Sequence, residues 1–202
     1  MSQPILQVRN LCVDFVLEDR TIEAVQNATF ELAAGETLAI VGESGSGKSV
    51  TALALTRLLP VPPAEIKKGE ILFDGESVMT MDAARLRKLR GGKIAYIFQE
   101  PSTSLNPVYT VRSQIGEAIR LHRRDATDVD TEIVRWLDAV GIVDPAARMH
   151  DYPHQLSGGM QQRVMIAMAL ACQPDVLVAD EPTTALDVTI QAQIMELLGS
   201  LK

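Results

Sequence analysis

The order of hydrophobic and polar positions predicts a sheet-forming N-terminus followed by alternating strands and helices. Residues 5–17 and 22–34 alternate with period two and are joined across the polar Glu18-Asp19-Arg20, the pattern of an antiparallel hairpin. Thr37-Leu38-Ala39-Ile40-Val41 is continuously apolar and predicts a strand buried on both faces, as in parallel sheets. A glycine-rich loop at 42–47 follows, then helical spacing from Lys48 to Leu59 that ends before Pro60, Pro62 and Pro63. The middle of the chain reads as a turn at Asp74-Gly75, a basic helix near 82–90 and a strand from Lys93 to Phe98. The stretch 101–107 is too rich in Pro, Ser and Asn for either element. Amphipathic helices at about 110–122 and 127–140 stop at Gly141 and Pro145, the pattern of a helical insertion. From Ser157 a helix runs to Cys172, Asp175 to Asp180 reads as a second buried strand, and a last helix starts after Asp187. No internal repeat interrupts this order.

Composition narrows the class. The 202 residues are 47% hydrophobic and 22% charged, which gives a globular core and excludes a wholly disordered chain. A net charge of -7 argues against a dedicated nucleic-acid binder, so the basic run Arg85, Arg87, Lys88, Arg90 and Lys93 reads as a solvated helix face. The longest apolar run, Val164 to Cys172, is far short of the ~20 residues that span a bilayer. Cys12 and Cys172 stand far apart and form no metal-binding or redox spacing, and the N-terminus MSQPILQVRN lacks the basic-then-apolar pattern of a secretory leader. Together these predict a reduced, cytoplasmic protein.

Gly42-Glu43-Ser44-Gly45-Ser46-Gly47-Lys48-Ser49 fits the phosphate-binding pattern G-x-x-x-x-G-K-[ST] between a predicted strand and a predicted helix. Its glycines let backbone N–H groups curl around phosphate oxygens, and the helix that follows presents its positive end to the same anion. Lys48 would neutralise the outer phosphates, and Ser49 would supply an oxygen to Mg²⁺. The bland alternative is a glycine-rich turn that binds nothing. At the end of the second buried strand, Asp180 could hold Mg²⁺ through water, and Glu181 could orient or deprotonate an attacking water.

Leu156-Ser157-Gly158-Gly159-Met160-Gln161-Gln162 resembles the signature motif of ATP-binding cassette (ABC) proteins. Gln99 resembles the family's Q-loop glutamine and Ala185-Leu186-Asp187 its D-loop. The resemblance implies an α/β fold: a P-loop NTPase cassette with a RecA-like parallel sheet, an N-terminal antiparallel β subdomain and a helical insertion. It divides a single cassette over 1–202 into a β subdomain with the P-loop core at 1–100, a helical subdomain at 101–160, and the signature helix, acidic strand and D-loop helix at 161–202. ATP and Mg²⁺ are the implied ligands. The nucleotide would meet Phe15 at adenine, the P-loop through Val50, and Gln99, with Ser49, Gln99 and Asp180 around the metal and Glu181 catalytic. Ser157, Gly158, Gly159 and Gln161 would face the ATP of a second cassette, and Asp187 would serve the D-loop.

Phe98-Gln99-Glu100-Pro101, Ser104-Leu105-Asn106-Pro107, Tyr152-Pro153-His154-Gln155-Leu156 and Asp187-Val188-Thr189-Ile190-Gln191-Ala192-Gln193 are similar to the peptide, nickel and glutathione branch of bacterial importers. The runs 49–55 and 163–172 look closest to the N-terminal cassette of glutathione-import ATPases. This implies an ATPase peripheral to the cytoplasmic face of the inner membrane. Its implied partners are a second cassette (a copy, a paralogue or a fused half), transmembrane permease subunits docking at 101–121, an external solute-binding protein, and no nucleic acid. Nickel import, a cassette with no part in transport, or one that binds ATP without hydrolysing it, is the alternative. His122 and His150 read as surface residues, and His154 as one that packs rather than catalyses. None of these can be the family's switch histidine, whose strand would follow the last helix. The expectation is therefore a truncated cassette without its C-terminal strands, weakly stable and hydrolytically impaired.

Overall fold

A computed structural model describes residues 3–123, 125–182 and 188–200. The chain divides into two compact units, 1–86 and 87–202.

The first unit is built on an antiparallel sheet in the order β2-β1-β3-β4. The predicted hairpin forms β1 (Leu6–Val16) and β2 (Thr21–Leu32), with Leu6 opposite Leu32 and Val16 opposite Thr21. Alternation along β1 buries Leu6, Val8, Leu11 and Val13. The register shifts around Asn10 and Asn27, both at positive φ, and the Asn10 N–H is satisfied by the Thr29 hydroxyl.

Between β2 and β3 lies α1 (Lys48–Ala54), shorter than the helix expected to reach Leu59. Arg57 turns left-handed, φ 55°, and the Leu58 N–H returns to the Leu53 carbonyl at 2.9 Å, which closes the helix end. The Arg57 guanidinium donates to the Met79 and Met81 carbonyls and holds that reversal in place.

Residues 37–41 are not the expected buried strand. They form no ladder among the described residues, and Leu38, Ile40 and Val41 are 41%, 47% and 87% exposed. An apolar run becomes a doubly buried strand only with a hydrogen-bonded neighbour, and none of the described strands pairs with it.

β3 (Ala64–Phe73) was not legible in the sequence because Lys67, Lys68, Gly69 and Glu70 break its alternation. It pairs with β1 across a bulge, where Gly69 at φ 114° lies against the backbone of Leu11; a Cβ there would come within 2.6 Å of the Leu11 Cα. Asp74-Gly75 makes the expected turn into β4 (Glu76–Ser77). α2 (Ala83–Leu89) then carries the basic run with Arg85, Arg87 and Lys88 exposed.

The second unit pairs β5 (Ile94–Ile97) with β6 (Val176–Ala179) in parallel and packs helices on them. α3 (Pro101–Ser104) replaces the loop expected there. Proline fits the first position of a helix, and the Thr103 and Ser104 hydroxyls donate back to the Glu100 carbonyl. The two amphipathic helices are α4 (Val111–His122), capped by Thr110, and α5 (Val129–Ala139), capped by Asp128. The Thr131 hydroxyl and backbone N–H groups bound to the Asp128 carboxylate hold its pKa below the usual range.

A short α6 (Pro145–Arg148) follows, then α7 (Gly158–Ala171), which is apolar nearly all round and correspondingly buried, and α8 (Val188–Ser200). One core joins Ile97, Ile115, Ile119, Ile133, Leu137, Met165 and Ile166. Among the described residues no helix is long and apolar enough to cross a membrane.

Gly69→Ala combines positive φ with a backbone clash, so it should lower unfolding free energy by about 2 kcal/mol or more. Gly35→Ala, at φ 74° with nothing within 4 Å of the added carbon, should cost only about 1 kcal/mol. Urea unfolding of the two variants checks the difference.

Candidate functional site

The glycine-rich loop belongs to the first unit and is shaped by two left-handed glycines, Gly45 at φ 80° and Gly47 at φ 87°. The Ser46 N–H donates to the Glu43 carbonyl at 3.2 Å, and the Thr51 N–H to the Gly47 carbonyl at 2.8 Å, so the turn leads directly into α1. A side chain at Gly47 would run into the Ala24 carbonyl of β2, and one at Gly42 would meet Ser46 Oγ at 2.6 Å. Only glycine fits at Gly47, while a side chain at Gly42 would require Ser46 to turn aside.

Lys48 Nζ donates to the Gly42 and Glu43 carbonyls at 2.8 Å each, which arches its ammonium across the loop mouth. Glu43, Ser44 and Ser49 are exposed, and Val50 is half-buried. Such a loop can offer N–H groups, a cation and a hydroxyl to a phosphate chain and its metal. Phe15 is a half-buried residue of β1 opposite Ile22 and Ala64. Ile22 is two residues from Ala24, about 7 Å along the strand, so the aromatic ring and the loop share one end of the hairpin.

In the second unit, β5 and β6 end level, with Ile97 opposite Ala179. The Asp180 N–H still donates to the Ile97 carbonyl at 2.9 Å. Just beyond, Gln99 Nε2 donates to Glu181 Oε2 at 2.9 Å. That contact brings Gln99 and the acidic strand end together, as neither sequence motif could show alone. It uses one of the two Gln99 amide hydrogens and leaves the amide oxygen as an acceptor. Ser49 hydroxyl, Gln99 amide and Asp180 carboxylate oxygens are hard donors of the kind Mg²⁺ prefers.

Ser157 caps α7 by accepting from the Met160 N–H at 3.3 Å, and Gly158 has nothing within 4 Å of where its Cβ would sit. Among the described residues, no close approach of another helix accounts for Gly158. The open first turn of a helix of this length suits an anion. Gln161 Nε2 donates to the Pro153 and Leu156 carbonyls, shaping the loop before the helix. Asp187 and the rest of the expected D-loop lie outside the described residues.

Of the expected docking segment 101–121, Leu105 and Val111 belong to the core, while Val108 and Tyr109 are exposed. His154 stacks on Tyr152 with ring centroids 5.6 Å apart. His122 is half-buried rather than on the surface, against Gly91 and Gly92, and burial lowers its pKa. Burial pushes the Cys172 thiol up to about 11, which keeps it protonated and unreactive. The sequence reading missed Gln162, whose side chain is fully buried and bonded to the Pro182 carbonyl. A polar residue inside the most apolar helix was the available signal.

Residues 25–184 match the family described as ABC transporter. The peptidoglycan transport ATP-binding protein YejF of Agrobacterium fabrum is 54% identical over 202 residues, which are 100% of this chain and 37% of that protein. The glutathione import ATP-binding protein GsiA of Salmonella choleraesuis is 54% identical over 207 residues, covering 100% of this chain and 33% of that protein. The chain thus spans little more than a third of the length of these relatives. Among solved structures, the ATP-binding cassette MJ0796, a dimer in a post-hydrolysis state bound to ADP and Pi, superposes with a TM-score of 0.85. That match has 30% sequence identity and covers 96% of this chain and 81% of that one.

Lys48→Ala removes both the cation and the two hydrogen bonds that tie it across the loop. Affinity for a fluorescent ATP analogue should fall by about 100-fold, and titration of the variant against the unmutated protein measures it.

Proposed function

The chain belongs to the ABC transporter family, and we propose that it is the ATP-binding and ATP-hydrolysing cassette of an importer for peptides or peptide-like solutes, glutathione among them. The observation that carries this reading is the hydrogen bond from Gln99 to Glu181, which gathers an amide, a carboxylate and the neighbouring Asp180 at the ends of two parallel strands. Ligands of α/β sheets bind at that end.

The substrate is Mg-ATP. Phosphoryl transfer to water needs positioning and charge stabilisation more than covalent chemistry. The loop Gly42–Ser49 with Val50 holds the phosphates, Lys48 offsets their charge, and Phe15 packs on the base. Ser49, Gln99 and Asp180 hold the metal directly or through water. Glu181 accepts a proton from the attacking water, and Gln99 keeps its carboxylate aimed. Ser157, Gly158 and Gly159 face the nucleotide of a second cassette, with Gln161 holding their loop and Asp187 crossing the dimer. The dimeric state of MJ0796 supports that pairing.

Coupling to import requires permease subunits and a solute-binding protein. The cassette then sits on the cytoplasmic face of the membrane, and exposed Val108 and Tyr109 offer an apolar contact for the permease. The names of the relatives, one a peptidoglycan transporter and one a glutathione importer, support the peptide class.

Glu181→Gln in the full-length gene product tests the catalytic assignment. ATP affinity should be kept or tightened, because a negative charge beside the phosphates is removed. Phosphate release should fall by about 100-fold or more. Undiminished release would remove Glu181 from the reaction.

A further inference from the structure

Gln162 stands on α7 five positions after Ser157, and its side chain is fully buried. Its Nε2 donates to the Pro182 carbonyl at 2.7 Å, while its Oε1 has no partner among the described residues. A methionine would fill the same volume without taking an amide out of water, so packing does not account for a glutamine here. Pro182 directly follows Glu181, whose backbone is left-handed at φ 47°. A residue other than glycine keeps that conformation when its surroundings dictate it. Gln99 restrains the carboxylate end of Glu181, and Gln162 holds the carbonyl of the residue that follows it.

We propose that Gln162 is a positioning residue for Glu181, fixing through the Pro182 carbonyl the backbone from which the carboxylate is aimed. This rests on the reading of Glu181 as the group that activates water. Gln162 never touches nucleotide or water in this scheme. It acts along one hydrogen bond, from a helix whose first turn lies about 7.5 Å away along the axis. A displacement of Ser157-Gly158-Gly159 would thereby reach Glu181 of the same chain.

The test is steady-state ATP hydrolysis by the full-length gene product carrying Gln162→Met, which keeps the volume and removes the donor. The expected result is a kcat lowered by about 10-fold or more with KM for ATP within about twofold, since binding groups are untouched and aim is lost. Gln162→His, which keeps an N–H donor, should recover part of kcat, a rescue that a purely packing role would not produce. If Gln162→Met does not fold, Gln162→Leu replaces it. Failure of both to fold would assign Gln162 to the core alone and overturn the proposal.

A Gln162→Met enzyme with unchanged kcat, or one whose KM rises in step with the loss, would also overturn it. Glu181→Gln run in parallel separates the two failures. Full turnover in Glu181→Gln would defeat the catalytic reading and the positioning role together. Loss of turnover there with full kcat in Gln162→Met would defeat the positioning role alone.

Discussion

The parallel ladder between β5 and β6 is the constraint on which the second unit's candidate site depends. Its register sets Ile94 against Val176 and Ile97 against Ala179. Gln99 and Glu181, each two residues past the last matched pair, therefore leave the sheet at one level. A slip of one residue would turn every side chain to the other face and part the amide from the carboxylate. The opposite end of the ladder holds the register: the Asp175 and Val176 N–H groups both donate to the Lys93 carbonyl at 2.9 Å, and Lys93 Nζ meets the Asp175 carboxylate at 2.7 Å. That ion pair is about half exposed and worth little energy. Its contribution is alignment, while fully buried Ile94 and Ile97 supply the stabilisation through apolar burial.

Features set by neighbouring residues were legible in the sequence. The hairpin of β1 and β2, the helices over 111–122, 129–139 and 158–171, and both short strands follow from local periodicity and capping groups. The glycine loop was legible for the same reason, because its left-handed turns need Gly45 and Gly47 whatever surrounds them. Three features depend on partners far along the chain and were misread or missed. Residues 37–41 have the composition of a buried strand but no strand beside them among the described residues. β3 has a poor strand pattern yet forms because β1 offers it an edge across the Gly69 bulge. The early end of α1 depends on Arg57 reaching the carbonyls of Met79 and Met81.

The candidate site divides in the same way. Each motif could be named from its own residues, but the hydrogen bond between Gln99 and Glu181 joins positions far apart in sequence, and only the strand register creates it. Gln161 adds a contact that its motif does not reveal: its Nε2 donates to the Pro153 and Leu156 carbonyls, which shapes the loop that delivers Ser157.

α7 joins these observations. A helix apolar on nearly every face is stable only when enclosed, so each polar side chain on it must find a partner or carry a desolvation cost. Its second turn begins with three polar residues in succession, and each donates to the carbonyls of a different chain segment. Gln161 holds the turn at 153–156, Gln162 holds Pro182, and Arg163 Nη1 holds Gly141 at 2.5 Å. Successive helix positions are about 100° apart, so the three donors radiate around the axis and fasten three segments to one rigid body. The open turn at Ser157 and Gly158 is therefore presented from a helix fastened to three segments, one of which, Pro182, directly follows Glu181.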